Sequence, residues 1–199
     1  MKNIIGQYFY IADEDSRTWE VKFRSDIPFD KLTRLYIAFA EIVNGNLTYA
    51  STTHQPPDKE RIANLVNACK NVNPLDEIFI TSGTEAAPYL TAAKYPDAFA
   101  DSVVKFLRDN KLDGYDMDWE NGLDKDALNK LLTALRSALD AAGKTDGKTY
   151  GLTLAVWQYA SQGGYDLATI ANNVDEINIM SYGTGLSLPN CVQSYSGFP

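Results

Sequence analysis

Residue types that usually carry metal or redox chemistry are scarce in this chain of 199 residues. It has one histidine, His54, and two cysteines, Cys69 and Cys191, whose spacing fits neither a metal clip nor a dense disulfide framework. Cys69 falls on the apolar face of a predicted helix, so we interpret it as a small buried hydrophobic residue. We therefore predict no cofactor and no metal centre built from histidine and cysteine.

Positive charge and long apolar runs are also lacking. The chain has 18 Lys and Arg against 26 Asp and Glu, a net charge of −8 at pH 7, which argues against nucleic acid as a partner. No apolar run approaches the roughly 20 residues that a membrane span needs, so no membrane role is predicted. The first residues, MKNIIGQYFYIAD, lack a small-residue cleavage pattern and are interpreted as a strand, with no signal peptide in this chain. A neutral glycan is compatible with the charge.

Six apolar stretches, separated by helix-like segments, organise the chain. They lie at residues 4–11, 32–42, 77–82, 113–120, 150–157 and 176–182. Between the fourth and fifth stretches, Asp124 is a candidate cap for a helix with a leucine stripe that stops at Gly143. Strands that alternate with helices at this spacing predict a parallel α/β fold, in a single domain over residues 1–199.

The stretch DGYDMDWE, residues 113 to 120, places Asp116, Asp118 and Glu120 at alternate positions of a strand-like run. In an extended conformation the three carboxylates point to one face, within about 13 Å, and three apolar side chains point to the other. Like charges this close, and partial burial, raise at least one carboxyl pKa, which suits a general acid. Two alternatives stay open: a solvent-facing acidic stripe, or a divalent-metal site with oxygen ligands.

This stretch resembles the DxxDxDxE signature of glycoside hydrolase family 18, the chitinases and their relatives. GQYF is similar to the family's first strand, YIAFA to its second strand, and EINIMSY to its M(S/T)YD element. The resemblance implies a fold of the (β/α)8 TIM-barrel type. Because 199 residues are few for a barrel of typically about 250, we expect one truncated to about six β/α units.

The resemblance also implies a reaction. Family 18 enzymes cleave β-1,4 linkages next to N-acetylglucosamine with retention, and the substrate's own acetamide oxygen is the nucleophile. Glu120 would protonate the leaving oxygen and later activate water, Asp118 would hold the acetamide N–H, and Asp116 would share a proton with Asp118. Tyr182 would donate its hydroxyl to the acetamide carbonyl, and Asp113 would be structural.

The same resemblance implies five substrate-binding residues. Tyr8 would lie on the barrel floor beneath the acids, Thr81 and Gly83 match the serine and first glycine of the family's SxGG, and Met180 belongs to the M(S/T)YD element. Trp157 is a candidate to stack on a sugar ring. For Tyr8 and Trp157, plain core packing is an equal alternative.

Two departures from the family pattern affect these expectations. Gly183 stands where the family has an aspartate after the tyrosine, and no seventh or eighth barrel strand is recognisable. An open sheet would leave the first and sixth strands with unpaired edges. We therefore expect either self-association, or a second chain over these edges, or weak stability.

The leading expectation is a glycosidase that acts on chitin, on chitooligosaccharides or on the chitobiose core of N-glycans. The alternative is a chitin- or N-acetylglucosamine-binding, lectin-like protein with weak or no catalysis, and a metal enzyme is a more distant third. The resemblance implies an extracellular location.

Overall fold

Strands and helices alternate along the chain in the computed structural model, which describes residues 4–11, 27–50, 57–83, 85–157, 164–180 and 192–195. The strands are β1 (Gly6–Tyr10), β2 (Arg34–Val43), β3 (Asn46–Tyr49), β4 (Glu77–Ser82), β5 (Gly114–Met117), β6 (Gly151–Trp157), β7 (Glu176–Met180) and β8 (Val192–Tyr195). The helices are α1 (Asp58–Val72), α2 (Ala86–Ala92), α3 (Pro96–Asn110), α4 (Lys125–Asp146) and α5 (Leu167–Asn173). None of these helices is long and apolar enough to cross a membrane.

All eight strands belong to one sheet, in the order β1-β2-β4-β5-β6-β7-β8, with β3 beside β2. The six strands β1, β2, β4, β5, β6 and β7 run parallel, each paired with the next. The predicted fold, a TIM-barrel type truncated to about six β/α units, is confirmed. Parallel strands end at the same edge of a sheet, so residues that follow them are brought together.

Local sequence explains where the longer helices begin and end. Pro96 stands at the start of α3, where its missing N–H costs no hydrogen bond. Asp124 caps α4 by accepting a hydrogen bond from the backbone N–H of Ala127, as predicted. The predicted end of α4 at Gly143 is wrong, because the helix continues to Asp146 and ends at Gly147, whose φ is +67°. Gly143 lies inside the helix, where a Cβ would clash with the carbonyl of Lys148.

Two short strands were not expected. The turn Asn44–Gly45, in which both residues have positive φ, connects β2 to the antiparallel strand β3. Strand β8 pairs antiparallel with β7. The sixth parallel strand is β7, and β8 pairs with its outer edge. The expectation that this edge is unpaired is therefore wrong. On its other side, β1 pairs with no strand among the described residues.

The outer face of the sheet packs against the helices and forms the hydrophobic core. Tyr115, Met117 and Trp119, which alternate with the acids of the DGYDMDWE stretch, are fully buried in this core. The acids consequently belong to the opposite side, the interior of the curved sheet.

Candidate active site

Only the first half of the acidic stretch belongs to a strand. Strand β5 ends at Met117, so Asp116 belongs to the strand while Asp118 and Glu120 follow it. The prediction of one extended strand through Glu120 is therefore wrong in its second half, because β5 reaches its carboxyl end there. All three acids still influence one another, since the charges of Glu120 and Asp116 both raise the pKa of Asp118.

Asp116 is completely buried and accepts four hydrogen bonds from four different strands. Its Oδ2 accepts from the hydroxyls of Tyr8 at 2.9 Å and Thr81 at 3.0 Å. Its Oδ1 accepts from the Thr153 hydroxyl at 2.5 Å and from Nδ2 of Asn178 at 3.2 Å. Burial raises the pKa of Asp116, and these four donors act in the opposite direction because they favour the ionised form.

The donors around Asp116 are themselves connected. The Tyr8 hydroxyl accepts a hydrogen bond from Nδ2 of Asn178 at 2.8 Å. The Tyr8 ring stacks on the Tyr36 ring, with centroids 4.4 Å apart and planes inclined by 8°. Side chains from β1 and β7, which lie far apart in the sheet order, therefore meet in the interior. The parallel strands curve enough to form a joined polar floor.

Asp118 has very different surroundings. Its side chain is 6% exposed, and its Oδ1 has no hydrogen-bond partner among the described residues. Burial, then the charges of Glu120 and Asp116, raise the pKa of Asp118 to about 8. A buried carboxyl group without a donor is protonated near neutral pH, and a group with an available N–H would complete its hydrogen bonding.

An open cavity of about 410 Å³ lies over this floor. Its lining combines Asp118 with one amide and several apolar or aromatic side chains: Tyr8, Tyr10, Ala38, Phe39, Asp118, Ala155, Asn178 and Met180. Tyr10 is 62% exposed, and its ring contacts Phe39 edge to face, with centroids 6.0 Å apart. Aromatic faces beside a few fixed polar groups are typical of carbohydrate and other small-molecule sites.

The structure brings most of the predicted site residues together. Tyr8, Asp118 and Met180 line the cavity, and Thr81 supports Asp116 from below while fully buried. Gly83 lies just beyond β4, near the Phe39 ring. Glu120 is partly buried and close enough to Asp118 to raise its pKa. The roles assigned to these residues stay predictions.

Two predicted site residues fall wholly or partly beyond the described part of the chain. Tyr182 lies outside the described residues, and of Trp157 the structure describes the backbone, which ends β6. Asp113, predicted to be structural, is at the other end of β5, where its carboxylate contacts Lys70 and Lys148 at 3.0 and 2.8 Å.

Sequence reasoning missed Thr153 and Asn178, the two donors to Oδ1 of Asp116. Thr153 is the single polar residue of GLTLAVW, and Asn178 is one of two in EINIM, where the other is Glu176 at the start of the strand. Each also precedes a cavity-lining residue by two positions, Ala155 and Met180 respectively. That two-residue spacing places both side chains on the interior face, and it could have indicated them.

Fold and site together define a class of protein: a parallel α/β barrel of the TIM type whose acids lie at the carboxyl ends of its strands, where such barrels carry active sites. The sequence profile of glycosyl hydrolases family 18 matches residues 7–195. The chain therefore belongs to glycosyl hydrolases family 18.

Curated relatives agree with this assignment. Chitinase A1 of Niallia circulans is 37% identical over 153 residues, which cover 68% of this chain and 22% of that protein. Chitinase B of Serratia marcescens is 29% identical over a match that covers 91% of this chain and 42% of the relative. The chain thus spans less than half of the length of these relatives.

Solved structures support the same fold. A chitinase-like agglutinin of Robinia pseudoacacia superposes with a TM-score of 0.74 at 25% identity, over 90% of this chain and 55% of the agglutinin. The family 18 chitinase of Cycas revoluta, in complex with allosamidin, gives a TM-score of 0.76 at 19% identity, over 92% of this chain and 56% of the chitinase.

Proposed function

We propose that this chain is a glycosidase that hydrolyses β-1,4 linkages at N-acetylglucosamine, in chitin, in chitooligosaccharides or in the chitobiose core of N-glycans. Its family membership supports a glycoside hydrolase. Several relatives are named chitinases, and a tobacco chitinase variant has been crystallised with an N-acetylglucosamine tetramer. An extracellular location, which the family resemblance implies, is part of the same proposal.

The proposed reaction uses the substrate's acetamide group. Glu120 donates a proton to the glycosidic oxygen as that bond breaks, while the acetamide oxygen attacks the anomeric carbon and forms an oxazolinium ion. Asp118 passes its proton to Asp116, with which it shares one, then holds the acetamide N–H and balances the positive charge of the intermediate as a carboxylate. Glu120 then removes a proton from water, whose oxygen bonds to the anomeric carbon as the bond from that carbon to the acetamide oxygen breaks, with net retention. Tyr182 holds the acetamide carbonyl oxygen.

One observation carries this proposal: the Oδ1 atom of Asp118 is buried and has no donor within the described ranges, while Asp118 lines the cavity and feels the charge of Glu120. A carboxyl group with a pKa of about 8 costs stability when it ionises without a partner. Such an arrangement is typical of functional sites, where a ligand supplies the missing hydrogen bond and charge.

A binding protein without turnover is the second candidate. The agglutinin from Robinia pseudoacacia shares this fold at 25% identity, and the present chain spans about half of such relatives. The cavity over the polar floor would then hold an N-acetylglucosamine unit without cleaving its linkage.

Release of a fluorophore from a chitotriose conjugate, measured for the wild type and for Glu120→Gln, tests the proposal. We expect release by the wild type and a loss of at least about a hundredfold in Glu120→Gln, because the proton donor is removed. Asp126→Asn, which changes an exposed acid in the first turn of α4, is the matched control and should keep full activity. Binding without release by the wild type would favour the lectin, and loss of release on addition of a chelator would favour a metal enzyme.

A further inference from the structure

Behind the acidic stretch, on the helix side of the sheet, three buried hydroxyl groups form a cluster. They belong to Ser82 at the end of β4, Tyr89 in α2 and Tyr115 in β5, and all three residues are completely buried. The Ser82 Oγ lies 2.7 Å from the Tyr89 hydroxyl and 2.5 Å from the Tyr115 hydroxyl. We call this the hydroxyl cluster.

The hydroxyl cluster admits an arrangement of protons that satisfies every hydroxyl group. The Tyr89 hydroxyl donates to the carbonyl oxygen of Ser82 at 3.1 Å, so its own proton is used there. Either atom can be the donor in the two contacts of the Ser82 Oγ; with its proton on the Tyr89 oxygen, Tyr115 can donate to the Ser82 Oγ. Each of the three hydroxyl protons therefore has an acceptor, which makes the cluster rigid.

The hydroxyl cluster contacts the segment between the two loop acids in two ways. A backbone hydrogen bond from Asp118 reaches the Tyr89 hydroxyl and lowers the pKa of that tyrosine against the larger effect of burial. The Tyr89 ring stacks on Trp119, with centroids 4.9 Å apart and planes inclined by 11°. Trp119 is fully buried, and its indole N–H donates to the carbonyl of Asn121 at 2.8 Å.

Trp119 stands between Asp118 and Glu120 in the sequence, so its packing constrains the backbone that carries both acids. Beyond Met117 the chain has left the sheet, and ladder hydrogen bonds no longer fix its backbone. Packing on Tyr89 replaces that constraint. We propose that the hydroxyl cluster is a positioning device, in which Tyr89 holds Trp119 and the Asp118 backbone so that the Asp118 and Glu120 side chains face the cavity together.

This inference rests on the proposed function for its link to catalysis, but its structural content has a separate readout. If Asp118 is held against neighbouring acids, loosening the segment lets the carboxyl groups move apart and admits water, so the pKa of Asp118 falls toward its ordinary value. The titratable groups whose charges or hydroxyls act on Asp118, or feel its charge, come from several elements: Asp116, Glu120, Tyr8, Tyr89, Tyr115 and Tyr165.

The variant Tyr89→Phe tests the proposal because it keeps the ring and its stacking but removes the hydroxyl. The midpoint of the pH titration of Asp118 is measured by NMR on protein with 13C-labelled aspartate carboxyls. The Asp118 signal is the one that is missing from the spectrum of Asp118→Asn. We expect the midpoint to fall by about 0.5 unit or more. We also expect kcat on the chitotriose conjugate to fall about three- to tenfold, with KM changed less than twofold. Tyr115→Phe removes the hydroxyl that contacts the Ser82 Oγ and keeps the contact of Tyr89 with the Asp118 backbone, so it should lower the Asp118 midpoint by a smaller amount.

The control is Tyr49→Phe in β3, which removes a hydrogen bond to Asn110, the last residue of α3. If Tyr89→Phe loses thermal stability as Tyr49→Phe does but leaves the Asp118 midpoint and kcat unchanged, the cluster is only structural and the proposal is overturned. Should Tyr89→Phe fail to fold, Tyr115→Phe decides on the same readouts. If the wild type shows no turnover, the proposed function fails while the NMR midpoints still decide the positioning role.

Discussion

Two carboxyl groups only two residues apart have opposite surroundings in this chain. Asp116 accepts four hydrogen bonds, from Tyr8, Thr81, Thr153 and Asn178. Asp118 has an Oδ1 atom without any partner in the described part of the structure. The difference separates the two groups: four donors favour the ionised form of Asp116 against the larger effect of burial, whereas burial and the charges of Glu120 and Asp116 raise the pKa of Asp118 to about 8.

The raised pKa of Asp118 makes stability depend on pH. In the unfolded chain this carboxyl loses its proton near pH 4, whereas in the folded protein it holds the proton to about pH 8. Its contribution to stability is therefore complete below pH 4 and is lost progressively as the pH rises to 8. Asp118→Asn removes this dependence, since asparagine resembles the protonated acid.

We expect the melting temperatures of Asp118→Asn and wild type to be similar at pH 4.5, and the variant to melt at least about 3 °C higher at pH 8.5. Scanning calorimetry at both values measures this difference. Asp126→Asn serves as the control for loss of an exposed acid. A constant offset between the variant and wild type across this range would mean that Asp118 is ionised throughout.

Among the four hydrogen bonds to Asp116, the one from Thr153 is the shortest and can be tested directly. Thr153→Val keeps the side-chain shape but removes a donor to Oδ1 at 2.5 Å, so the pKa of Asp116 should rise and the folded state should lose about 1–3 kcal/mol. Urea unfolding of Thr153→Val and Thr153→Ser measures the loss, since the serine variant retains the hydroxyl. Equal stability of the two variants would show that this hydrogen bond contributes little.

At the scale of elements, packing in the interior near the amino-terminal ends of β5 and β6 depends on two glycines that lie beside one large ring. Phe79 projects from β4 across the two next strands, where it lies over Gly114 of β5 and Gly151 of β6. A Cβ at either glycine would meet the Phe79 ring. The two strands thus present bare backbone to the ring, which packs closely against both of them below the acids.

Gly151→Ala should consequently destabilise the fold by about 2–3 kcal/mol, because the ring of Phe79 has to move within a packed interior. In a Phe79→Leu background, where the ring is absent, the same change should cost clearly less. Urea unfolding of the four proteins in this double-mutant cycle measures the coupling. Additive effects would mean that the interior adjusts without strain.

The elements that sequence patterns predicted best are those with long apolar runs or clear caps. Strands β2, β4 and β6 and helices α3 and α4 were located because buried runs and helical stripes extend over many residues. The error at Gly143 arose because a glycine needed for close packing looks the same in sequence as one that ends a helix. Strands β3 and β8 have four residues each, too few for a periodic signal.

For the whole molecule, the limit of sequence reasoning was distance along the chain. The spacing of Asp116, Asp118 and Glu120 was visible locally, and the family resemblance supplied their expected roles. Two of the four donors to Asp116, Tyr8 and Thr81, were expected near the acids from the resemblance, but Thr153 and Asn178, 37 and 62 residues away from Asp116, were missed. Only the curvature of the sheet decides which of the isolated polar residues reach the same carboxylate.

A second interaction stabilises the curvature of the sheet, at the opposite end of the interior from Asp116. Arg34 of β2 is 6% exposed and contacts Glu77 of β4 at 2.5 Å and Glu176 of β7 at 2.7 Å. It also lies 4.3 Å from the centroid of Phe79 and donates to the Tyr36 hydroxyl at 3.2 Å. Strands β2 and β7 are not neighbours in the sheet, so this ion pair connects them across the interior.

We expect Arg34→Met to destabilise the protein by about 3–5 kcal/mol, because the buried Glu176 carboxylate would lose its counter-charge. Arg34 now lowers the pKa of Glu176 against the effect of burial, so the variant's Glu176 pKa should rise further and its stability should fall as the pH rises. Urea unfolding at pH 5 and pH 8 measures both effects.

Arg108→Met, which breaks an exposed ion pair with Asp146, should change stability little at either pH. The double variant Arg34→Met/Glu176→Met should recover most of the loss, since no charge is left buried. A loss that is independent of pH, or no recovery in the double variant, would mean that Arg34 acts by packing on Phe79 rather than by tying β2 to β7.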